Sequence, residues 1–392
     1  MKFFEIEKTD EKSRARAGKI RTAHGDFSTP VLMTVGTKAA IKGGVDSEFL
    51  KKIGGEVLLA NTYHLHLNPG ENLISKFGGL HKFCGWDGPI FTDSGGFQIF
   101  SMGHGTVADE IKGKGMRHKK RTLLQISEHG AKFKSYRDGS DKFLTPESSM
   151  EIQFKLNSDL IAAFDECTPF HAEKIYTADS MHRTHRWLDR CVAELKKLKS
   201  RQNLFSIIQG GIWPDLRKIS CKVCGNSETP GICIGGSLGD SKSKMMEIVD
   251  FCTANLPREK PIHLLGIGDF PDLVSAVNLG VDSFDCVAPT RDARHGSLFC
   301  RGEKNWRISI SNSKFKNDPR PIDPNCDCEV CRKYSRAFLR YLFSAGETLA
   351  VNLATRHNIF FIQNFMREIR AAILTGKFKE FAENFWREFN GN

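Results

Sequence analysis

Apolar residues in this chain fall into short bursts separated by longer polar intervals. The bursts read "VLMTVGT", "EVLLANT", "PIFTDSGG", "LIAAFDE", "LFSIIQGG", "GICIGGS", "IHLLGIGD" and "SFDCVAPT". Short, nearly continuous apolar runs of this kind match strands buried on both faces. Several intervals between them carry helical patterning. "TPESSMEIQFKLNS" offers Thr145 as an N-cap with an acid close behind it, and "DSKSKMMEIVDFCTANL" has a similar design. Strand–helix repetition predicts a parallel sheet covered by helices. Eight such runs predict closure into a (β/α)8 barrel, an α/β fold, with an open doubly wound sheet as the alternative.

Most of these runs end on a polar or glycine-rich tip: Asn61, Asp93, Asp165, Gln209, Gly235–Gly236, Gly266–Gly268 and Asp285. In a barrel the strand ends share one mouth, where chemistry is done. Three carboxylates and a glutamine, distant in sequence, are thus expected to face one pocket. Around the barrel we expect a β-rich cap over residues 1–30, the barrel over 31–305 and a metal-binding subdomain over 306–360. A C-terminal helix over 361–392 should pack on the barrel. Residues 103–122, "GHGTVADEIKGKGMRHKKRT", read as a basic, glycine-rich insert.

Charge adds a partner class. The 392 residues carry a formal net charge of +11, which favours a polyanion. No run approaches the length of a membrane span, and "MKFFEIEKTDEKSRAR" lacks a signal-peptide core, so a cytoplasmic setting is expected. The twelve cysteines are then reduced thiols or metal ligands. "NCDCEVC" places Cys326, Cys328 and Cys331 in one tight turn, and His357 in "ATRHN" could complete a tetrahedron. Four protein ligands suit a structural Zn2+ with no position for water. The isolated pair Cys221 and Cys224 reads as ordinary thiols.

"FTDSGGFQIF", "FDECTPF", "IIQGG", "LLGIG", "FDCVAPTR" and "NCDCEVC", in this order, resemble the tRNA-guanine transglycosylases, the queuine tRNA-ribosyltransferase family. The resemblance covers nearly the whole chain. It implies exchange of guanine at the wobble position of GUN-anticodon tRNAs for a 7-deazaguanine, queuine or preQ1. It implies Asp285 as nucleophile and Asp93 as general acid/base. Asp93, Phe97, Asp165, Gln209, Gly236, Ser237 and Leu265 would line the base pocket. Arg291 and Arg294 would contact RNA, and Cys326, Cys328, Cys331 and His357 would hold zinc. A homodimer is also implied, with the zinc region near the interface. A non-catalytic RNA-binding subunit of the same fold is the rival reading, and the presence of both Asp93 and Asp285 speaks against it.

Some positions depart from the usual bacterial pattern. Phe97 replaces a tyrosine, keeping a stacking face. In "GGSLGDSK", Ser237 and Gly239 replace larger apolar residues, and Asp240 is the nearest acid. Gly239 is expected to open the side of the pocket that receives the 7-substituent, which would favour bulky queuine. Cys167 is bacterial-like and argues the other way.

Overall fold

A computed structural model describes residues 2–98 and 123–391 of the chain. The expected basic insert at 103–122 lies outside the described residues. Strands β1 (Phe4–Thr9), β2 (Arg16–Thr22) and β3 (Gly25–Thr29) form an antiparallel sheet. Next come β4 (Val31–Val35), β5 (Leu58–Ala60) and β6 (Ile90–Thr92). After them β7 (Leu123–Ser127), β8 (Gly130–Lys134) and β9 (Asp141–Leu144) make a second antiparallel sheet. The chain then resumes the parallel series with β10 (Leu160–Ala162), β11 (Asn203–Ile208), β12 (Gly231–Ile234), β13 (Ile262–Leu264) and β14 (Ser283–Asp285). Strands β4 to β6 and β10 to β14 close a parallel barrel, with β6 beside β10 and β14 beside β4. Each of these strands falls in one of the eight apolar bursts, β11 starting one residue before its burst, and the open-sheet alternative is excluded by closure.

Alternation along the strands sorts the barrel into two cores. Val31, Met33, Val35, Leu59, Phe91, Leu160, Phe205, Ile207 and Cys233 point inward and share a cluster with Phe4, Ile20 and Phe27 of the N-terminal sheet. Leu32, Leu58, Ile90, Ile161, Ile232, Leu264 and Phe284 point outward into the larger cluster formed with the helices. Two polar ties anchor the N-terminal sheet to the starts of barrel strands. Arg16 grips Asp282, immediately before β14, with contacts of 2.6 and 2.8 Å. His24 Nδ1 meets Asp159, immediately before β10, at 2.7 Å. The sheet therefore caps the barrel's floor and leaves the strand C-termini open.

The expected helices form, with one altered cap. Helix Pro146–Leu156 is capped by Thr145, whose hydroxyl accepts from Ser148 N, and Ser148 returns the bond. The reciprocal partner is thus Ser148 rather than the acid Glu147, which instead meets Arg190 at 2.7 Å. Ser241 caps helix Lys242–Ala254. Past the barrel, β15 (Ser297–Phe299) pairs with β16 (Arg307–Ser309). The helix Thr348–Leu374 then runs back over the barrel without a break at residue 360, and Gln363 Nε2 donates to Leu32 O of β4 at 2.8 Å.

Candidate active site

The strand tips converge as side chains that touch one another. Asp93 follows β6 and is held by its neighbour strand. Asn61, just past β5, donates its amide to Asp93 Oδ2, and Thr62 N and Gly95 N donate to Oδ1 at 2.9 and 3.1 Å. Gln98 reaches the same carboxylate at 3.4 Å. Burial nevertheless pushes the Asp93 carboxyl up to about 7, against the pull of those donors, and the charge of Asp285 adds to the rise. Phe97, between Gly96 and Gln98, is 39% exposed, so its ring is available for stacking.

Asp165, beyond β10, receives Gln209 Nε2 at 2.7 Å and Ser94 Oγ at 3.2 Å. Burial lifts it to about 6. Gln209 directly follows β11, with its backbone N donating to Ser220 Oγ at 3.1 Å. Its Oε1 is buried and unpartnered among the described residues, and so is Ser237 Oγ. Such orphaned atoms are costly unless a ligand satisfies them. Gly236 lies against Gln209 with φ +75, and a Cβ there would fall 2.3 Å from Gln209 Oε1. Only glycine lets backbone and amide approach so closely. Leu265, after β13, borders the same turn: its Cδ1 lies 3.4 Å from where a Cβ on Gly235 would stand.

Asp285 closes β14. Gly266 N donates to its Oδ1 at 2.9 Å, and His263 Nε2 lies 3.2 Å from the same oxygen. Among the described residues Oδ2 has no partner. His263 points into the barrel and is fully buried, with its Nδ1 2.9 Å from Ser283 Oγ. If the hydroxyl donates to Nδ1, the proton sits on Nε2 and faces the carboxylate.

A second cluster lies at the C-terminal end. His357 Nδ1 is 3.4 Å from Cys328 Sγ, 3.4 Å from Cys331 Sγ and 3.9 Å from Cys326 Sγ. His357 Nε2 donates to Phe299 O at 2.7 Å, which leaves the Nδ1 lone pair turned toward the three sulfurs. This group could hold a metal ion, and its donors fit tetrahedral zinc. Cys221 and Cys224 are buried within helix Pro214–Asn226 and join no metal-ligand group among the described residues.

Comparison with known proteins agrees with the motifs. A profile of the queuine tRNA-ribosyltransferase family matches residues 10–391. The chain is 46% identical over 387 residues to the queuine tRNA-ribosyltransferase of Roseiflexus sp. (strain RS-1), covering 96% of each chain. It is 44% identical to that of Desulforamulus reducens, covering 98% of each, and 43% identical to that of Fusobacterium nucleatum, covering 97% of each. The chain belongs to the queuine tRNA-ribosyltransferase family.

Within this member of the family, the helix Ala288–Arg294 starts directly after the strand that carries Asp285. Arg291 is partly exposed on it, and Arg294 Nε donates to Thr290 O at 3.2 Å. Sequence reasoning missed two further cations. Lys42 lies close enough to Arg294 and Lys38 for their charges, after burial, to lower its pKa. Both lysines follow β4, so they belong to the same rim. The sequence did contain a signal, since "VGTKAAIKGG" puts two lysines straight after a predicted strand. His263 and Asn61 were read only as part of strands or tips. Gly239 adopts φ +106, and a Cβ there would meet Lys244 Cγ at 2.7 Å, with Ile212 next nearest. The backbone conformation and the Lys244 stem therefore favour glycine here, whatever base the pocket receives.

Proposed function

We propose that this protein exchanges guanine at the wobble position of GUN-anticodon tRNAs for a 7-deazaguanine by double displacement. The carrying observation is that Asp285 and Asp93 approach one mouth in unlike environments. Both contacts to Asp285 fall on Oδ1, which leaves Oδ2 free to act as a nucleophile. Asp93 is half-buried, and desolvation lifts its pKa to about 7, which suits a proton carrier near neutral pH. Asp285 Oδ2 attacks ribose C1′, the C1′–N9 bond breaks, and the electron pair leaves with guanine, which takes its proton from Asp93. The incoming base then attacks C1′ through N9, its proton passes to Asp93, and the Asp285–C1′ bond breaks. Two inversions give retention, and no redox or nucleotide cofactor is consumed.

Recognition in this reading uses the remaining residues. Asp165 accepts from the donor edge of the purine, Gln209 and the Gly236 N–H serve O6, and Phe97 and Leu265 flank the ring. Lys38, Lys42, Arg291 and Arg294 bind the phosphates of the flipped anticodon nucleotide and its neighbours. Cys326, Cys328, Cys331 and His357 would hold zinc, which supplies a rigid cross-link rather than chemistry. A homodimer is part of the same reading, supported by Phe338 and Tyr341, 37% and 62% exposed on the helix beside the cysteine cluster. Sedimentation at micromolar concentration should return the mass of two chains.

The deciding experiment follows labelled guanine into tRNA and traps the covalent adduct on a denaturing gel. Wild type should exchange the base and yield a tRNA–protein adduct. Asp285→Ala should do neither while still binding tRNA. Wild-type tRNA binding without exchange would favour the non-catalytic subunit instead.

A further inference from the structure

Arg217 is a buried charge beside the barrel that the function so far leaves unused. It belongs to helix Pro214–Asn226, which follows β11, and only 1% of it is exposed. Among the described residues no carboxylate touches it, and burial draws its pKa down. A guanidinium removed from water without a counter-ion is costly unless its N–H groups are satisfied. Here backbone carbonyls do this. Nε donates to Gly211 O at 2.7 Å, Nη1 to Ile208 O at 3.2 Å and to Gly235 O at 2.9 Å, and Nη2 to Ser237 O at 3.0 Å.

The choice of carbonyls is informative. Ile208 and Gly211 bracket Gln209, while Gly235 and Ser237 bracket Gly236. One side chain thus ties together the turns after β11 and β12 at the two residues assigned to the purine's O6 edge. The peptide group adds direction. In a planar trans peptide the C=O and the following N–H point opposite ways. Holding Gly235 O against Arg217 therefore turns the Gly236 N–H away from it. The Ser237 carbonyl also accepts from Arg217, through one of its two lone pairs, and the Ser237 Oγ beside it is unpartnered among the described residues. A lysine could not substitute, because an ammonium lacks the planar fork that reaches divergent acceptors.

We propose that Arg217 is a positioning residue for the purine subsite, fixing the Gly236 N–H and the Gln209 amide at the spacing a purine edge requires. The proposal rests on the transglycosylase reading above. Its test uses the full chain carrying Arg217→Lys, which keeps the charge and loses the fork, and Arg217→Met, which loses both. KM for guanine should rise about tenfold, as for one misaligned hydrogen bond, while tRNA affinity stays within about twofold. A merely structural role would reduce the active fraction, lowering kcat and leaving both KM values unchanged. That pattern overturns the proposal, as does failure of both variants to fold, which would make Arg217 a folding residue. Absence of exchange by the wild type would instead remove the transglycosylase reading itself.

Discussion

The proposed reaction gives two identical side chains, Asp93 and Asp285, different tasks. Asp93 sits half-buried among four donors, and desolvation still wins, raising it to about 7. If it protonates departing guanine, the rate of adduct formation in a single turnover should hold up to about pH 7. Above that it should fall about tenfold per pH unit, because the protonated fraction does. A flat profile to pH 9 would remove Asp93 from the proton transfer, and Asp93→Asn should abolish both the rate and the limb. In the proposed reaction Asp285 depends on its neighbours for aim. His263 and Gly266 N together fix one carboxylate oxygen, so His263→Phe should lower kcat by about 10- to 100-fold, the worth of a hydrogen bond to a charged group. The KM for tRNA should stay where it was, and a KM that rises with unchanged kcat would show that His263 does not orient the nucleophile.

Elements, not residues, explain which parts of the molecule could be read in advance. The barrel strands announced themselves because burial on both faces leaves an uninterrupted apolar run, and their polar tips stood out by contrast. His263 did not, because an inward-facing polar residue in a three-residue strand breaks no visible pattern. The β7–β9 sheet was also missed: its exposed face leaves weak alternation, with Leu124 and Phe143 outward. The positive φ of Gly239 was not legible either, because a sequence cannot tell a glycine that makes room from one that permits a backbone angle. The cysteine cluster was legible from spacing, but its mechanical role needed the structure. His357 hangs from the long helix Thr348–Leu374 and bonds back to Phe299 of β15, so a bound metal would pin a C-terminal helix to the loop that carries the cysteines. Cys328→Ser should therefore cost the bound zinc, measured by elemental analysis, and lower the unfolding midpoint by several degrees. Retention of one zinc per chain would show that the cluster is not the site.

At the scale of the whole molecule, a net charge of +11 has a direction as well as a sign. Lys38 and Lys42 follow β4, Arg291 and Arg294 follow β14, and these strands are neighbours in the barrel. The cations are therefore gathered where the chain ends of the barrel open, near enough that Arg294 and Lys38 help depress the pKa of Lys42. Like charges held together are unfavourable in the free protein, and a polyanion relieves them. The floor is covered by the N-terminal sheet, so in the proposed reaction RNA would approach from the opposite, strand-end face. Binding that rests on phosphate contacts must weaken with salt, because each neutralised phosphate releases condensed counterions. The logarithm of tRNA affinity should fall linearly with the logarithm of salt concentration. Arg294→Ala should reduce that slope by about 0.7 to 0.9, one phosphate's share, and weaken cognate and non-cognate tRNA alike. A slope that does not change on removing Arg294 would mean that this cation does not touch phosphate, and a slope near zero in the wild type would deny the charged rim any part in holding the substrate.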